Sequence, residues 1–241
     1  MKKLINLVIV CLLVQVNISS AQEAGGEELV YKAVGIGAAF SNSPYVDDDS
    51  RLFPLPAIVY MSESFYFTGL EAGYALAGDR EEGVGLYATV SGRLEFFDEE
   101  DSYIFDGMGN RHASMDGGLK LKVNKGDIGF ELGAKYDMLG VYDGYELSGE
   151  ISRKYADIFE CDGLDMTIGV GLDWRSENLN DYYFGVADRF ATAGRPAYSP
   201  SGGFNSNIGL TFNYQLDEKW SLYNSIRATF LGDDITDSPL V

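Results

Sequence analysis

The sequence predicts an all-β fold, a transmembrane antiparallel β-barrel of about twelve strands, and three observations predict it. Apolar and polar residues alternate over long runs. In 164–174, Leu164, Met166, Ile168, Val170, Leu172 and Trp174 alternate with Asp165, Thr167, Gly169, Gly171 and Asp173, and successive strand side chains point to opposite faces. Several runs reach 11–13 residues, longer than the roughly five or six usual in soluble sheets and suited to a tilted membrane strand. Glycine (29) and tyrosine (16) are abundant, and aromatics cluster at run ends in Phe65-Tyr66-Phe67 and Tyr182-Tyr183-Phe184, as an interfacial girdle requires. A soluble sandwich accounts for the alternation but not for the strand length.

Residues 1–21 read as a secretory signal peptide. Lys2 and Lys3 give the basic start, Leu4 to Val16 the apolar run, and Ser19-Ser20-Ala21 a small-residue cleavage site. The run is short for a membrane helix. Cys11 lacks the small residues that precede a lipidated cysteine. After cleavage at Ala21 only Cys161 remains, so no intramolecular disulfide forms, which points to a bacterial envelope. Residues 22–241 form the outer-membrane barrel domain.

Eleven strands are legible: near 33–40, 54–61, 64–76, 84–97, 113–124, 126–138, 142–154, 163–174, 181–190, 204–215 and 218–231. The connections 41–53, 155–162 and 191–203 are longer and rich in Ser, Pro, Gly and Asp. With a periplasmic N-terminus they fall outside. The stretch 98–112 is also long, yet this count puts it in the periplasm.

The chain carries 18 basic and 37 acidic residues, net −19. That charge argues against nucleic acid, whose phosphates require Lys and Arg clusters. Solvated acidic loops explain it; cations bridging those loops to lipopolysaccharide is the sharper reading. One histidine, His112, and Cys161 give no zinc or iron ligand set. No glycine-rich phosphate loop precedes a helix. No cofactor is expected. His112, Ser114 and Asp116 alternate, so on an extended segment they share a face. Nucleophilic hydrolysis of a lipid ester needs such residues; three ordinary polar residues entering a strand is the simpler reading.

Three stretches carry a resemblance. Pro44-Tyr45 leads through Asp47-Asp48-Asp49-Ser50 to Pro54-Leu55-Pro56 and Tyr60. Asn180-Asp181-Tyr182-Tyr183-Phe184-Gly185-Val186 precedes Arg195-Pro196-Ala197-Tyr198-Ser199-Pro200-Ser201-Gly202-Gly203. The chain closes on Gly232-Asp233-Asp234-Ile235-Thr236-Asp237-Ser238-Pro239-Leu240-Val241. In order and spacing these resemble the MltA-interacting protein/OmpV family over essentially all of residues 22–241. The resemblance implies an outer-membrane barrel without enzymatic activity. It implies a scaffold joining a murein-degrading lytic transglycosylase to a murein synthase, with outer-membrane lipid and lipopolysaccharide around it. Alternatives are a pore or permeability protein, an adhesin and, last, a lipid hydrolase.

The motif residues read first as structural. Pro54 and Pro56 cannot donate to a central ladder and suit a strand start or loop rim. Tyr182, Tyr183 and Phe184 are expected to anchor the barrel at the membrane interface. Pro196, Pro200, Gly202 and Gly203 shape a loop. Partner binding by Pro44, Tyr45, Asn180, Asp181, Gly185, Tyr198, Ser238 and Pro239 is the alternative. The large side chains Tyr87, Arg93, Tyr223 and Arg227 are expected to fill a narrow lumen. One departure stands out: family members are expected to continue past Ser238-Pro239 into a last strand with an aromatic end. Eleven strands is an odd number, and single-chain bacterial barrels are even. A gap is therefore expected between 33–40 and 218–231, with the sequence truncated or a strand hidden at 98–112.

Overall fold

The computed structural model describes every residue except 1–4, 24–25 and 80–82. The alternating runs become strands, and among the described residues twelve of them close an antiparallel barrel. They are β1 (Ile5–Glu23), β2 (Gly26–Ser41), β3 (Arg51–Met61), β4 (Phe65–Thr68), β5 (Glu71–Asp79) and β6 (Val84–Arg93). Then follow β7 (Ser114–Lys125), β8 (Ile128–Asp137), β9 (Tyr145–Tyr155), β10 (Leu164–Arg175), β11 (Gly203–Gln215) and β12 (Trp220–Phe230). Sequence neighbours pair around the ring, and β1 meets β12.

The two-residue beat sets the faces. On β8, Ile128, Phe130 and Leu132 are exposed on the outer wall, while Glu131 and Lys135 reach inward to Lys120 and Glu71. On β10 and β12, Val170, Leu172, Trp220 and Leu222 are exposed. Their neighbours Arg227 and Ser225 face inward, toward Glu150 and Thr211. Lipid tolerates apolar side chains and excludes charge, so the outer wall is the membrane face. Val170 lies near the middle of β10 and is 47% exposed. Val170→Arg is expected to cost about 2–4 kcal/mol, and Thr167→Arg on the inner face much less. Urea unfolding in lipid vesicles checks the difference; equal costs would contradict the assigned faces.

Three strand boundaries differ from the sequence reading, each for a local reason. The run 64–76 is two strands: Gly69, at φ +58 with open space around it, turns the chain so that Thr68 pairs with Glu71. This extra reversal moves 94–113 to the same end as 42–50 and 176–202, and moves 156–163 to the end of the short turns. The run 181–190 is not a strand. Ser176 caps a helix, α1 (Glu177–Phe184), accepting from the Leu179 amide, and a 3-10 turn follows at Asp188–Phe190. The stretch 98–112 hides no strand; it holds a 3-10 turn at Tyr103–Phe105 and an isolated bridge between Phe97 and Arg111.

The expected gap is filled, from an unexpected place. β2 and β12 do not pair with each other. Residues assigned to the signal peptide lie between them as β1, with Ile5 to Gln15 opposite Phe230 to Trp220 and Val8 to Glu23 opposite Ser41 to Gly26. β1 follows no alternation over 7–14, and both its faces are apolar. Outward, Leu13 is exposed; inward, Val14 packs on Ala33 and Ala57. Pro54 and Pro56 lie inside β3, opposite Ala38 and Ile36 of β2. On the other side of β3, β4 reaches only as far as Thr68 opposite Val59. The prolines therefore occupy an edge, where a missing N–H costs least.

Candidate functional site

The long connections fold over one end of the barrel and plug it. Two apolar clusters form the plug. Phe97, Ile104, Phe105, Met108, Val186 and Leu240 make one. Tyr142, Leu179, Tyr183, Phe184 and Ile235 make the other. Tyr45 joins them. Its ring meets Phe97 and Phe105 edge-on at 5.2 Å and lies 5.4 Å from Phe184, and its hydroxyl donates to the Tyr183 carbonyl. Burial, with Glu95 adding to it, pushes the Tyr45 phenol well above its usual range. Burial does the same to Tyr183 and Tyr142. These phenols remain neutral donors below the ordinary tyrosine value of about 10.

Apart from Pro54 and Pro56, which lie in β3, the motif residues described below gather at this plug rather than at the membrane interface. Tyr183 and Phe184 are buried among the loops, which corrects the girdle expectation. The run is amphipathic as a helix, and α1 turns it inward. Tyr182 accepts Arg111 Nε at its carbonyl, 2.7 Å, and the His112 amide at its hydroxyl. Asn180 donates to Ser201 O. Gly185 closes α1 by donating to Asp181 O; a Cβ there would strike that oxygen. Tyr198 bridges Val186 through its backbone and donates from its hydroxyl to Asp234 O. Pro200 is fully buried. Ser238, within the turn that follows the short helix α2 (Asp233–Thr236), donates to Phe184 O at 2.6 Å. Next to Pro44 and Tyr45, the Val46 amide donates to Leu240 O, which ties the chain end down beside Pro239.

Sequence reading passed over one residue that the plug depends on. Arg195 is buried and donates to three carbonyls, those of Ile104, Asp106 and Phe190. A lone arginine beside a proline carries no signal of burial; the return of the distant 94–113 loop supplies two of its acceptors and its own connection supplies Phe190.

Beneath the plug, the inner wall carries ion-pair networks. Arg93 donates to Asp116 and to Glu146, at 2.9 and 3.2 Å. Arg175 pairs with Glu95 and, at 3.5 Å, with Glu146. Tyr142 donates to the other Asp116 oxygen. Further down, Lys120 bridges Glu71 and Glu131 at 2.6 and 3.1 Å, and Tyr66 donates to Glu71. Tyr87 is buried against Tyr66, and Arg227 spans Glu150 and Asn207. Large inward side chains do occupy the lumen, as Tyr87, Arg93 and Arg227 were expected to.

His112, Ser114 and Asp116 do not assemble a nucleophile. The Ser114 hydroxyl donates to Asp137 at 2.6 Å, Asp116 serves Arg93 and Tyr142, and His112 is exposed. The three lie at the plugged end, not at the end of the short turns as the strand count had implied. No group of three or more metal-ligating side chains occurs among the described residues.

Residues 34–241 match the family model described as MltA-interacting protein MipA. The chain belongs to that family. It is 28% identical over 221 residues to the MltA-interacting protein of Escherichia coli strain K12, covering 87% of this chain and 83% of the relative. It is 29% identical over 209 residues to the outer membrane protein OmpV of Vibrio cholerae, covering 87% and 80%. Among solved structures, an outer membrane channel from Pseudomonas putida F1 aligns over 95% of this chain and 97% of its own, at 14% identity and a TM-score of 0.38. The protein is an outer-membrane barrel of the MipA family. The matched span starts at Val34, so β1 lies outside it.

Proposed function

We propose that this barrel is a non-enzymatic scaffold of the cell envelope, holding a murein-degrading lytic transglycosylase and a murein synthase at the inner surface of the outer membrane. One observation carries the reading: the end with the long loops is sealed by two apolar clusters and backed by paired charges. A lumen built in this way favours surface contacts over free passage of solute. The family name supports the transglycosylase, since the Escherichia coli relative is called MltA-interacting. Short turns of outer-membrane barrels face the periplasm, so 62–64, 126–127, 156–163 and 216–219 meet the partners there. Lipid and lipopolysaccharide surround the outer wall.

Crosslinking in native envelopes, with mass spectrometry of the captured proteins, tests it. A transglycosylase and a synthase are the expected captures. Steady conductance from the purified barrel in planar bilayers, with neither enzyme captured, would replace the scaffold by a pore. Ser114→Ala tests the hydrolase alternative. The loss of one buried hydrogen bond is expected to cost about 1 kcal/mol and to leave lipid deacylation unchanged. Loss of deacylation by a folded variant would assign an esterase.

A further inference from the structure

At the end of the short turns one connection stands apart. Most of the others there are tight, but β9 and β10 are joined by 156–163, which holds a 3-10 turn at Ile158–Glu160. Three of its non-glycine residues have left-handed backbones: Asp157 at φ 47, Phe159 at φ 57 and Glu160 at φ 57. Side chains with a Cβ avoid that region, and a bulky aromatic there is an outlier. Such strain persists only where the surroundings impose it. They do so here. Asp157 Oδ1 accepts the Gly163 amide at 2.8 Å. The Cys161 amide donates to Ile158 O, and the Leu164 amide to Cys161 O. Lys154 and Asp165 pair at 2.7 Å across the base.

The strained turn leaves Phe159 86% exposed. Acidic side chains outnumber basic ones in its loop and in the next hairpin, where Lys219 is the one cation. Asp157, Glu160 and Asp162 are exposed in the same loop, and Asp217 and Glu218 in the adjoining hairpin. An aromatic dipping into the bilayer interface has a different setting. Basic neighbours suit an anionic lipid surface, and acidic ones are repelled by it. A rigid aromatic with few rotamers to lose, ringed by charge, is how an interface presents an anchor.

We infer that Phe159 and its acidic collar form the docking knob of this barrel. Its partner is a soluble periplasmic protein with an apolar pocket edged by Lys and Arg. The inference rests on the scaffold reading and names the surface that serves it. The collar steers the basic rim, and the phenyl ring fills the pocket.

The test uses the full chain in nanodiscs and the soluble domain of the lytic transglycosylase from the same bacterium. Binding is measured calorimetrically at low and moderate salt. Phe159→Ser is expected to weaken binding at least tenfold and Phe159→Tyr to keep it within twofold. Tyr103→Ser, at the opposite end and also exposed, should leave it unchanged. Heat-modifiable mobility on gels verifies that each barrel is folded. Should Phe159→Ser fold poorly, Glu160→Lys with Asp162→Lys carries the test, with at least a fivefold loss and a flatter salt dependence expected. Wild-type affinity in a folded Phe159→Ser variant, or in the charge variant, overturns the knob and leaves the scaffold standing. No binding by the wild type overturns both.

Discussion

Refolded into detergent micelles, the chain 1–241 is expected to close and become heat-modifiable, whereas a chain beginning at Gln22 is expected not to. β1 supplies the ladder that joins β2 to β12. Without it, eleven strands leave two facing edges in hydrocarbon, where each unpaired backbone group costs several kcal/mol. A domain stable by only about 5–15 kcal/mol does not survive such a row. Gel mobility with and without boiling, together with far-ultraviolet circular dichroism, reads the outcome. A heat-modifiable barrel from Gln22 onward would show that β2 and β12 find another closure. Polar and apolar residues alternate over most of β12, with Asn224 the break, whereas 7–14 of β1 are apolar on both faces, and the family match starts at Val34. β1 therefore serves this barrel through backbone pairing and bulk hydrophobicity, without two distinct faces.

The next largest effect is expected at Arg175. Its side chain is 6% exposed and pairs with Glu95 and Glu146. Arg175→Ala leaves these carboxylates with Arg93 as their remaining cationic partner in this network. Removing one member of a buried network costs about 3–5 kcal/mol, because the charge left behind stays desolvated. Replacing Arg175 by Met and Glu146 by Gln together should recover much of that loss. Lys154→Ala breaks a pair that is half open to solvent and should cost no more than about 1 kcal/mol. Urea unfolding of the three variants in the same micelle ranks them. An Arg175→Ala barrel as stable as the Lys154→Ala barrel would mean that water fills the space under the plug.

Strand periodicity was legible in the sequence because it is a local property. Leu164 to Trp174 has one lipid face and one lumen face whatever surrounds it, and so do Ile128 to Tyr136 and Trp220 to Phe230. Paired motifs such as Asn180 to Val186 were legible as a family signature. Their place in space was not. Tyr182, Tyr183 and Phe184 carry the same aromatic character in an interfacial belt and in a buried helix. Only the return of 42–50, 94–113 and 231–241 over α1 puts Tyr183 and Phe184 inside. Gly69 looks like any strand glycine until its positive φ turns the chain, and that turn decides at which end His112 and Phe159 lie. Arg195 gains two of its three carbonyls, those of Ile104 and Asp106, from a loop about ninety residues away in sequence. The sequence by itself determined the barrel, its lipid face and its family, because alternation and short motifs act within a strand or a loop. The tertiary structure alone decided the plug, the ion-pair networks and the use of 5–23 as a closing strand. Those depend on which distant segments meet, and burial, pairing and edge satisfaction set their free energies only once the segments have met.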